Sequence, residues 1–305
     1  MKRAIISGST GLAGTAVSKY FVSQGVETLC LGRQALSKED CNHKFGTELN
    51  YLNVQMEDIA SLAERDDLIA WSTGSDCVFF NFAWCGYQKL TDGSFSEQLN
   101  NAIFAAEAVK AAKRLGCIKF VNVGTLEETF VEGFLSSNKN YPYCSDQTNY
   151  VLAKLAARDM CKMVAYLEKI DYVHTRLSVP LDPDLLRGNY VAATFKKIAE
   201  SLPFDAPLNK QLFDIVFLDD VARAYYMIGV NGKNKADYYI GTSKPATLAQ
   251  YFLRFEKIVK NQSFDDADLF ASINTEIFST AAINQDTGFF ASTRLQDILK
   301  KVHDH

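Results

Sequence analysis

The chain has 305 residues, of which 48% are hydrophobic, 22% are charged and 12% are aromatic. These proportions are typical of a globular protein and exclude long disorder, collagen-like repeats and low-complexity sequence. Lys and Arg total 32 against 36 for Asp and Glu, giving a formal net charge of −4. No block of like charge stands out, so neither nucleic acid nor a membrane surface is an expected partner.

The sequence predicts a soluble, cytoplasmic protein without a metal site. The apolar run between Arg3 and Ser7 has only three residues, whereas a signal peptide needs an apolar stretch of about 7–15 residues. No window reaches the roughly 18 apolar residues of a transmembrane helix. The seven cysteines contain no CxxC motif and the four histidines show no ligand spacing. We therefore interpret the cysteines as buried thiols rather than as disulfides or metal ligands.

Short apolar runs alternate with longer helical stretches. The run 77–83 is apolar on nearly every residue, which is typical of a strand buried on both faces of a parallel sheet. Helical patterns cover 14–24 and 96–115, the second ending before Gly116. This alternation predicts an α/β fold with a doubly wound parallel sheet. The other predicted strands are 4–7, 28–31, 118–123, 172–177, 215–218 and 238–241.

The pattern changes after residue 178. Proline and glycine residues interrupt the segment between 180 and 207, and the residues after 245 are mostly helical. Between them, the run at 215–218 resumes the sheet pattern. We therefore expect a sheet domain made of 1–178 plus 213–245, and a smaller, mostly helical domain made of 179–212 plus 246–305.

A glycine-rich turn follows the first predicted strand and opens a helix. Glycine suits a tight turn, a close approach of backbone to a pyrophosphate, and close packing of helix on strand. The N-terminus of the helix offers unpaired N–H groups and a positive dipole end to phosphates. The strand–turn–helix context favours a dinucleotide site over a structural turn. The predicted cofactor contacts here are Gly8, Thr10, Gly11, Leu12, Ala13 and Gly14.

The GxxGxxG spacing of this turn resembles that of the extended short-chain dehydrogenase/reductase superfamily, in the branch of NAD-dependent epimerases and dehydratases. The resemblance implies a Rossmann domain that binds NAD(P), a C-terminal substrate-binding domain and a nucleotide-sugar substrate. It also implies a homodimer formed through the two helices that carry Asn100 and Tyr150. The matching segments reach residue 245 through 175–180, 213–224 and 238–242.

The end of the second strand predicts the cofactor. In dinucleotide folds an acidic residue there accepts the ribose 2′-hydroxyl, whereas Arg favours a 2′-phosphate. This strand ends in Leu31-Gly32-Arg33-Gln34, without an acid. Since a guanidinium group pairs well with phosphate, Arg33 predicts a preference for NADP(H), with NAD(H) and a merely solvated Arg33 as alternatives.

A Tyr–Lys pair predicts hydride chemistry. Tyr150 and Lys154 stand at i and i+4 on one helix face, where the ammonium group favours tyrosinate and can hold the nicotinamide ribose. Alone, such a pair is most often a surface feature; downstream of the glycine turn we interpret it as catalytic. The resemblance adds Thr125, which stands 25 residues before Tyr150, as the residue that hydrogen-bonds the reacting oxygen.

The resemblance also implies further cofactor contacts. Asn100 would support the cofactor, although an exposed helix Asn is the alternative. The remaining implied contacts, at the adenine and at the tip of the fourth strand, are Asp58, Ile59, Phe82, Ala83 and Trp84.

We interpret the pair Asp219 and Asp220 as a helix N-terminal cap rather than an acid–base couple.

Two departures from the family pattern bear on the reaction. The family's dehydratases carry Thr-Asp-Glu at the catalytic Thr, but here Leu126 takes the place of the acid and cannot transfer a proton. Phe213 stands where epimerases usually place an Arg for the substrate diphosphate. Arg187, Lys210 or Arg294 could take the place of that Arg, and Glu127 is a separate predicted substrate contact.

These patterns favour an NADP(H)-dependent oxidoreductase that reduces a 4-keto group of a nucleotide-activated sugar. The alternative enzyme is a nucleotide-sugar 4-epimerase with tightly bound NAD. A different class, a non-catalytic regulatory protein that senses a dinucleotide, is disfavoured by the intact set of Thr, Tyr and Lys.

Overall fold

Helices cover both faces of a parallel sheet in this computed structural model, which describes residues 1–46, 49–86, 94–137, 148–185, 190–208, 211–262 and 276–298. The strands are β1 Arg3–Ser7, β2 Glu27–Gly32, β3 Asn50–Asn53, β4 Cys77–Asn81, β5 Lys119–Thr125, β6 Asp171–Leu177, β7 Val179–Leu181, β8 Leu212–Phe213, β9 Ile215–Phe217, β10 Asp237–Ile240 and β11 Ala246–Thr247. The helices are α1 Leu12–Ser23, α2 Lys38–Phe45, α3 Asp66–Ser72, α4 Phe95–Arg114, α5 Glu127–Ser137, α6 Thr148–Glu168, α7 Tyr190–Ala199, α8 Leu218–Asn231, α9 Leu248–Val259 and α10 Ala281–Thr287, with 3₁₀ helices at Met56–Glu64 and Glu276–Phe278.

The main sheet has seven strands in the order β10-β6-β5-β4-β1-β2-β3. Every neighbouring pair in it is parallel. The chain order reverses between β1 and β4, and ligands of such sheets bind in the crevice at the carboxyl ends of the strands beside this switch point. The predicted doubly wound Rossmann-type sheet is confirmed.

Two cores fill the spaces above and below this sheet. On one face Phe79 and Phe120 stack with ring centroids 5.3 Å apart and belong to one apolar cluster with residues of α4 and α6. On the other face Phe80 meets Phe21 of α1 edge to face at 5.0 Å, in a cluster that includes residues of α8. Because both faces are buried, the central strands carry nearly continuous apolar runs.

The region after β6 differs in part from the prediction. The run 215–218 was expected to rejoin the main sheet, but β9 pairs with β7 in a separate two-stranded sheet. The edge of β6 is already occupied by β10, so β9 has no place there. Strand β3 was missed because its sequence, Asn-Tyr-Leu-Asn, lacks the apolar run of a central strand.

A third apolar cluster gathers the helical C-terminal region. Phe195 of α7 meets Phe252 and Phe255 of α9 edge to face, with ring centroids 5.4 and 5.0 Å apart. Leu295 and Ile298, near the end of the described chain, belong to the same cluster. The cluster therefore joins the segments on either side of α8 and β10.

Other sequence predictions concern membranes, metals and thiols. None of the described helices is long and apolar enough to cross a membrane. Within the described ranges, no three His, Cys, Asp or Glu residues stand together as a metal-binding group. The six cysteines that the structure describes are unpaired, and five of them are buried.

Asp220 anchors the C-terminal segment to α8. The N-cap residue of α8 is Phe217, so Asp219 and Asp220 lie in the first helical turn rather than at the predicted cap. The buried Asp220 carboxylate accepts the N–H groups of Ser292 and Thr293 at 3.0 and 2.8 Å. Burial raises the pKa of Asp220, but the hydrogen bonds from these donors and from a neighbouring Arg outweigh it and hold the pKa below its usual value.

Asp220→Ala should therefore lower the free energy of unfolding by about 2–3 kcal/mol, because several hydrogen bonds to a charged group are lost. The depressed pKa means that this contribution is present at neutral pH and disappears as the pH falls through the folded-state pKa. Denaturant unfolding at neutral and acid pH measures both effects. The control is Asp219→Ala, which removes an exposed acid from the same helical turn; equal losses in the two variants would contradict the anchoring role.

Candidate active site

The glycine turn between β1 and α1 forms a cradle at the switch point. Gly8 has a left-handed φ of 68°, and a Cβ atom on it would lie 2.6 Å from the backbone nitrogen of Ala83. A Cβ atom on Gly14 would collide with the carbonyl oxygen of Gly8. Helix α1 begins after Gly11 without a side-chain cap or an acid in its first turn, so its first N–H groups are open to an anion. The cradle fits the pyrophosphate of a dinucleotide.

Three other residues of the predicted cradle complete the turn. Thr10 packs towards the end of β2, with its methyl group 3.0 Å from where a Cβ on Gly32 would stand. Ala13 is half-buried and packs against the core on the α1 face of the sheet. Leu12 is the first residue of α1. All the predicted phosphate contacts therefore surround the start of α1.

Arg33 stands just beyond the carboxyl end of β2. Its side chain is exposed, and within the described residues no ion pair involves its guanidinium group. Its carbonyl oxygen accepts a hydrogen bond from Gln55 Nε2 at 3.1 Å, and Tyr51 donates to the carbonyl oxygen of Gln34 at 2.6 Å. The backbone here is held in place while the Arg33 cation stays available.

The other predicted cofactor contacts lie on both sides of β1. Phe82 and Ala83 follow β4 directly and cross the glycine turn, with the Phe82 N–H donating to the carbonyl oxygen of Ser7 at 3.1 Å. Asp58 is exposed on the 3₁₀ helix Met56–Glu64. Its neighbour Ile59 is buried in the core, so of this pair only Asp58 presents its side chain at the surface.

Helix α4 presents a different asparagine from the predicted one. Asn100 is exposed, whereas Asn101 is buried. The Asn101 side chain accepts the N–H of Cys85 at 2.8 Å and donates to its carbonyl oxygen at 3.2 Å. Asn101 therefore holds the loop after β4, on which Trp84 lies.

Thr125, Tyr150 and Lys154 come together where β5 meets α6. Lys154 is 6% exposed, and its Nζ donates to the carbonyl oxygen of Val123 at 2.9 Å. The same Nζ lies 3.8 Å from the ring centroid of Trp84 and 5.7 Å from that of Tyr150. The Trp84 and Tyr150 rings meet edge to face at 5.8 Å. Among the groups that act on the Tyr150 phenol, the Thr125 side chain lowers its pKa as a hydrogen-bonding group.

Burial and charge set the protonation of this group. Burial raises the pKa of Tyr150, the negative charges of Glu128 and Glu127 raise it further, and the hydrogen bond of Thr125 opposes them. Burial lowers the pKa of Lys154 to about 8, while the charge of Glu128 acts in the opposite direction. At neutral pH the site therefore holds a protonated phenol beside a protonated amine.

Glu127 is the predicted substrate contact that the structure places beside Thr125. Its Oε2 is buried without a hydrogen-bond partner among the described residues, and burial raises its pKa to about 7. Leu126 is buried in an apolar cluster with Phe130 and Phe278. The other predicted substrate contacts, Arg187 and Lys210, lie outside the described residues, and the further cation Arg294 is exposed.

Sequence reasoning missed Glu128 and His174. Glu128 is fully buried on α5 behind Thr125, and its Oε2 lies 2.7 Å from Nε2 of His174 on β6. His174 is followed by Thr175 and Arg176 in β6, so no local signal singles it out. Asn81 and Asn122, by contrast, each follow an apolar run in β4 and β5.

Comparisons with known proteins agree with this geometry. The model of the NAD dependent epimerase/dehydratase family matches residues 4–241, whereas none of the curated proteins matches. Three similar solved structures are UDP-glucose 4-epimerase from Thermotoga maritima in complex with UDP-glucose (17% identity, TM-score 0.70, 99% of this chain and 97% of the other), the enzyme WbmF from Bordetella bronchiseptica in complex with NAD⁺ and UDP (16%, 0.73, 99% and 91%) and UDP-N-acetylglucosamine 4-epimerase from Bacillus cereus (14%, 0.71, 99% and 96%). Since the family model covers most of the sequence, the chain belongs to the NAD dependent epimerase/dehydratase family.

Proposed function

We propose that the chain is an NAD(P)-dependent oxidoreductase that acts on a nucleotide-activated sugar, and that it reduces a 4-keto group with NADPH. The observation that carries this proposal is the convergence of Thr125, Tyr150 and Lys154 beside the glycine turn. In such a site the phenol, the hydroxyl and the ammonium group serve hydride transfer at a carbonyl carbon.

The proposed mechanism divides the work among these three side chains. When bound, the nicotinamide supplies the hydride. Tyr150 donates its phenolic proton to the oxygen that becomes the hydroxyl group, and Thr125 donates a hydrogen bond to the same oxygen. The ammonium group of Lys154 stabilises the tyrosinate that remains. The Trp84 ring holds that ammonium group by a cation–π contact at 3.8 Å.

The proposed cofactor site follows the crevice from α1 to α6. The first turn of α1 holds the pyrophosphate, Arg33 pairs with a 2′-phosphate, and Asp58 borders the adenine. The loop residues Phe82 to Trp84 line the ribose beside Lys154. We propose that Asn101, rather than the exposed Asn100, supports this loop, since its side chain hydrogen-bonds the backbone of Cys85.

We propose that the sugar lies against Glu127 and that the C-terminal helical region, with the segment that contains Arg187 and Lys210, forms the substrate-binding domain. The unpartnered Oε2 of Glu127 can accept a hydrogen bond from a sugar hydroxyl. A polar atom buried without a partner costs free energy until a ligand satisfies it. The pairing would therefore favour bound sugar.

A 4-epimerase with retained NAD is the second candidate. It is favoured by the family match and by the names of two similar structures, which are a UDP-glucose 4-epimerase and a UDP-N-acetylglucosamine 4-epimerase. The same set of Thr, Tyr and Lys serves both reactions, because an epimerase oxidises and re-reduces one carbon.

A homodimer through α4 and α6 is also proposed. The two helices pack side by side against one face of the sheet, and large apolar side chains stand exposed on them: Ile103, Met160, Met163 and Leu167. Exposed apolar patches of this kind mark interaction surfaces.

A cofactor and substrate screen of the purified protein tests the proposal. The absorbance spectrum reveals any retained dinucleotide, and NADPH consumption is followed with 4-keto nucleotide sugars. Stoichiometric NADPH oxidation supports the reductase. Retained NAD, together with inversion of a UDP-sugar without added cofactor, would replace it by the epimerase.

Arg33→Asp should weaken NADPH binding about 10–100-fold and NADH binding far less, because only NADPH loses a charged hydrogen bond and meets a like charge. Dissociation constants of both cofactors from fluorescence titration measure the effect. The matched charge reversal Lys2→Asp, at the amino end of β1 and thus away from the crevice, should change neither constant. Equal losses for both cofactors in Arg33→Asp would remove Arg33 from the proposed role.

Tyr150→Phe should lower turnover by about 10²–10⁴ while leaving fold and cofactor binding in place, because it deletes only the hydroxyl that donates the proton. The control is Tyr166→Phe, the same change at an exposed position of the same helix. Turnover and NADPH dissociation constants are measured for both variants. Activity within threefold of the parent in Tyr150→Phe would contradict the assignment.

Incubation with nucleoside-diphosphate hexoses that carry a 6-hydroxyl should give no 4-keto-6-deoxy product. Elimination of water needs an acid near that hydroxyl, and Leu126 lies buried in an apolar cluster where dehydratases place the acid. Mass spectrometry of the products checks this. If a loss of one water is found and disappears in Glu127→Gln, then Glu127 takes over the proton transfer and the chain is a dehydratase.

A further inference from the structure

A row of buried polar side chains crosses four adjacent strands beneath the crevice. Ser7, Asn81, Asn122 and His174 are register partners on β1, β4, β5 and β6. Hydrogen bonds join them in sequence, with distances of 2.7 Å from Ser7 Oγ to Asn81 Oδ1, 3.2 Å from Asn81 Nδ2 to Asn122 Oδ1, and 3.4 Å from Asn122 Nδ2 to His174 Nδ1. The row ends on Glu128, whose Oε2 lies 2.7 Å from His174 Nε2.

The direction of these hydrogen bonds fixes the proton on the imidazole. Asn122 donates through its amide, so His174 Nδ1 is an acceptor and the ring proton sits on Nε2. That N–H then donates to the carboxylate of Glu128. With this tautomer both ring nitrogens of His174 have a hydrogen-bond partner.

Glu128 reaches the catalytic residues through the backbone. Its Oε1 accepts the N–H of Thr125 at 2.9 Å, while the side chain is fully buried and His174 is 2% exposed. The carboxylate can approach only because residue 124 is a glycine. A Cβ atom on Gly124 would collide with Glu128 Oε1 and lie 2.5 Å from His174 Nε2.

We propose that Glu128, oriented by His174 and the polar row, is a positioning residue that fixes the backbone of Thr125 and holds Lys154 and Tyr150 in their protonated states. Its importance for catalysis rests on the proposed function, whereas its electrostatic effect does not. A fixed negative charge favours the ammonium form of Lys154, and that ammonium group stabilises the tyrosinate left after Tyr150 has delivered its proton.

Other ionisable groups face this carboxylate and its targets. The charge of Glu128 opposes the effect of burial on the pKa of Lys154, and after burial it contributes most to the raised pKa of Tyr150. Glu127 on the same helix acts on Tyr150 in the same direction but more weakly. The remaining titratable side chains around Glu128 and Lys154 are Tyr172 and His174 of β6, Cys161 of α6 and Tyr225 of α8.

Glu128→Gln removes the charge and can keep every hydrogen bond. The carbonyl oxygen of the introduced side-chain amide accepts the N–H of Thr125, and its NH₂ group donates to His174 Nε2. His174 then carries its proton on Nδ1. The side-chain amides of Asn122 and Asn81 rotate so that their oxygen and nitrogen atoms exchange places, and each hydrogen bond between these side chains exchanges its donor and its acceptor. No heavy atom has to move beyond the exchange of amide oxygen and nitrogen positions.

The test is an NMR titration of the Lys154 side chain in the full-length protein labelled with ¹³C-lysine. The Lys154 signal is assigned by its absence from the spectrum of Lys154→Arg. The parent midpoint is expected near the pKa of about 8 that burial gives Lys154. In Glu128→Gln it should fall by on the order of one pH unit, because a nearby negative charge is lost. The alkaline limb of the kcat profile should fall with it. Asp159→Asn, which removes an exposed acid from α6, should move neither.

An unchanged Lys154 midpoint in folded Glu128→Gln would overturn the proposal, and a lowered Tm with an unchanged midpoint would leave Glu128 a structural role only. If Glu128→Gln does not fold, the double variant Glu128→Met with His174→Met replaces the whole pair by apolar side chains. An unchanged Lys154 midpoint in that variant would overturn the proposal in the same way. The titration needs no substrate. The titration can therefore be interpreted even if the proposed reaction is not found. If turnover is measured but the Lys154 midpoint does not move, only this inference is rejected.

Discussion

The close approach of two backbones at the switch point is the constraint on which the site depends. Gly8 leaves β1 with a left-handed φ, and the loop after β4 passes so near that a Cβ atom at Gly8 would lie 2.6 Å from Ala83 N. This contact brings the start of α1 next to Trp84. The Trp84 ring in turn contacts Tyr150 and Lys154. A larger residue at position 8 would push the loop after β4 away from the start of α1, and with it the Trp84 ring from its place beside the glycine turn.

Local pattern predicted most of the sheet, and it failed where burial is partial or where helix faces look alike. The central strands are buried on both faces, so their apolar runs are visible in the sequence, whereas the edge strand β3 is not. Helix α4 is rich in buried alanines, from Ala102 to Ala112, and alanine does not distinguish the buried face of a helix from the exposed one. Hence the sequence placed Asn100 at the cofactor, although the buried neighbour is Asn101. Tyr150 and Lys154 were predictable as a pair because they stand at i and i+4 of one helix, whereas Thr125 was identified from the resemblance to the family.

The polar row could not be predicted, because it depends on strand register. Ser7, Asn81, Asn122 and His174 are far apart in sequence and become neighbours only when four strands align. Each is a polar residue buried in a strand, which suggests a hydrogen bond but not its partner. Glu128 is equally ambiguous in the sequence, because an acid in the first turn of a helix is usually a favourable interaction with the helix dipole.

The site separates two carboxylates by environment, and this separation bears on its chemistry. Glu128 accepts hydrogen bonds from the Thr125 backbone N–H and from His174, so both of its oxygens are taken up within the protein. Glu127, next to it in sequence, has an unpartnered oxygen, and burial raises its pKa to about 7. Near neutral pH, Glu127 can therefore either accept or donate a hydrogen bond, which suits the sugar contact proposed for it. The role proposed for Glu128 is instead to position Thr125, because its own oxygens already have partners.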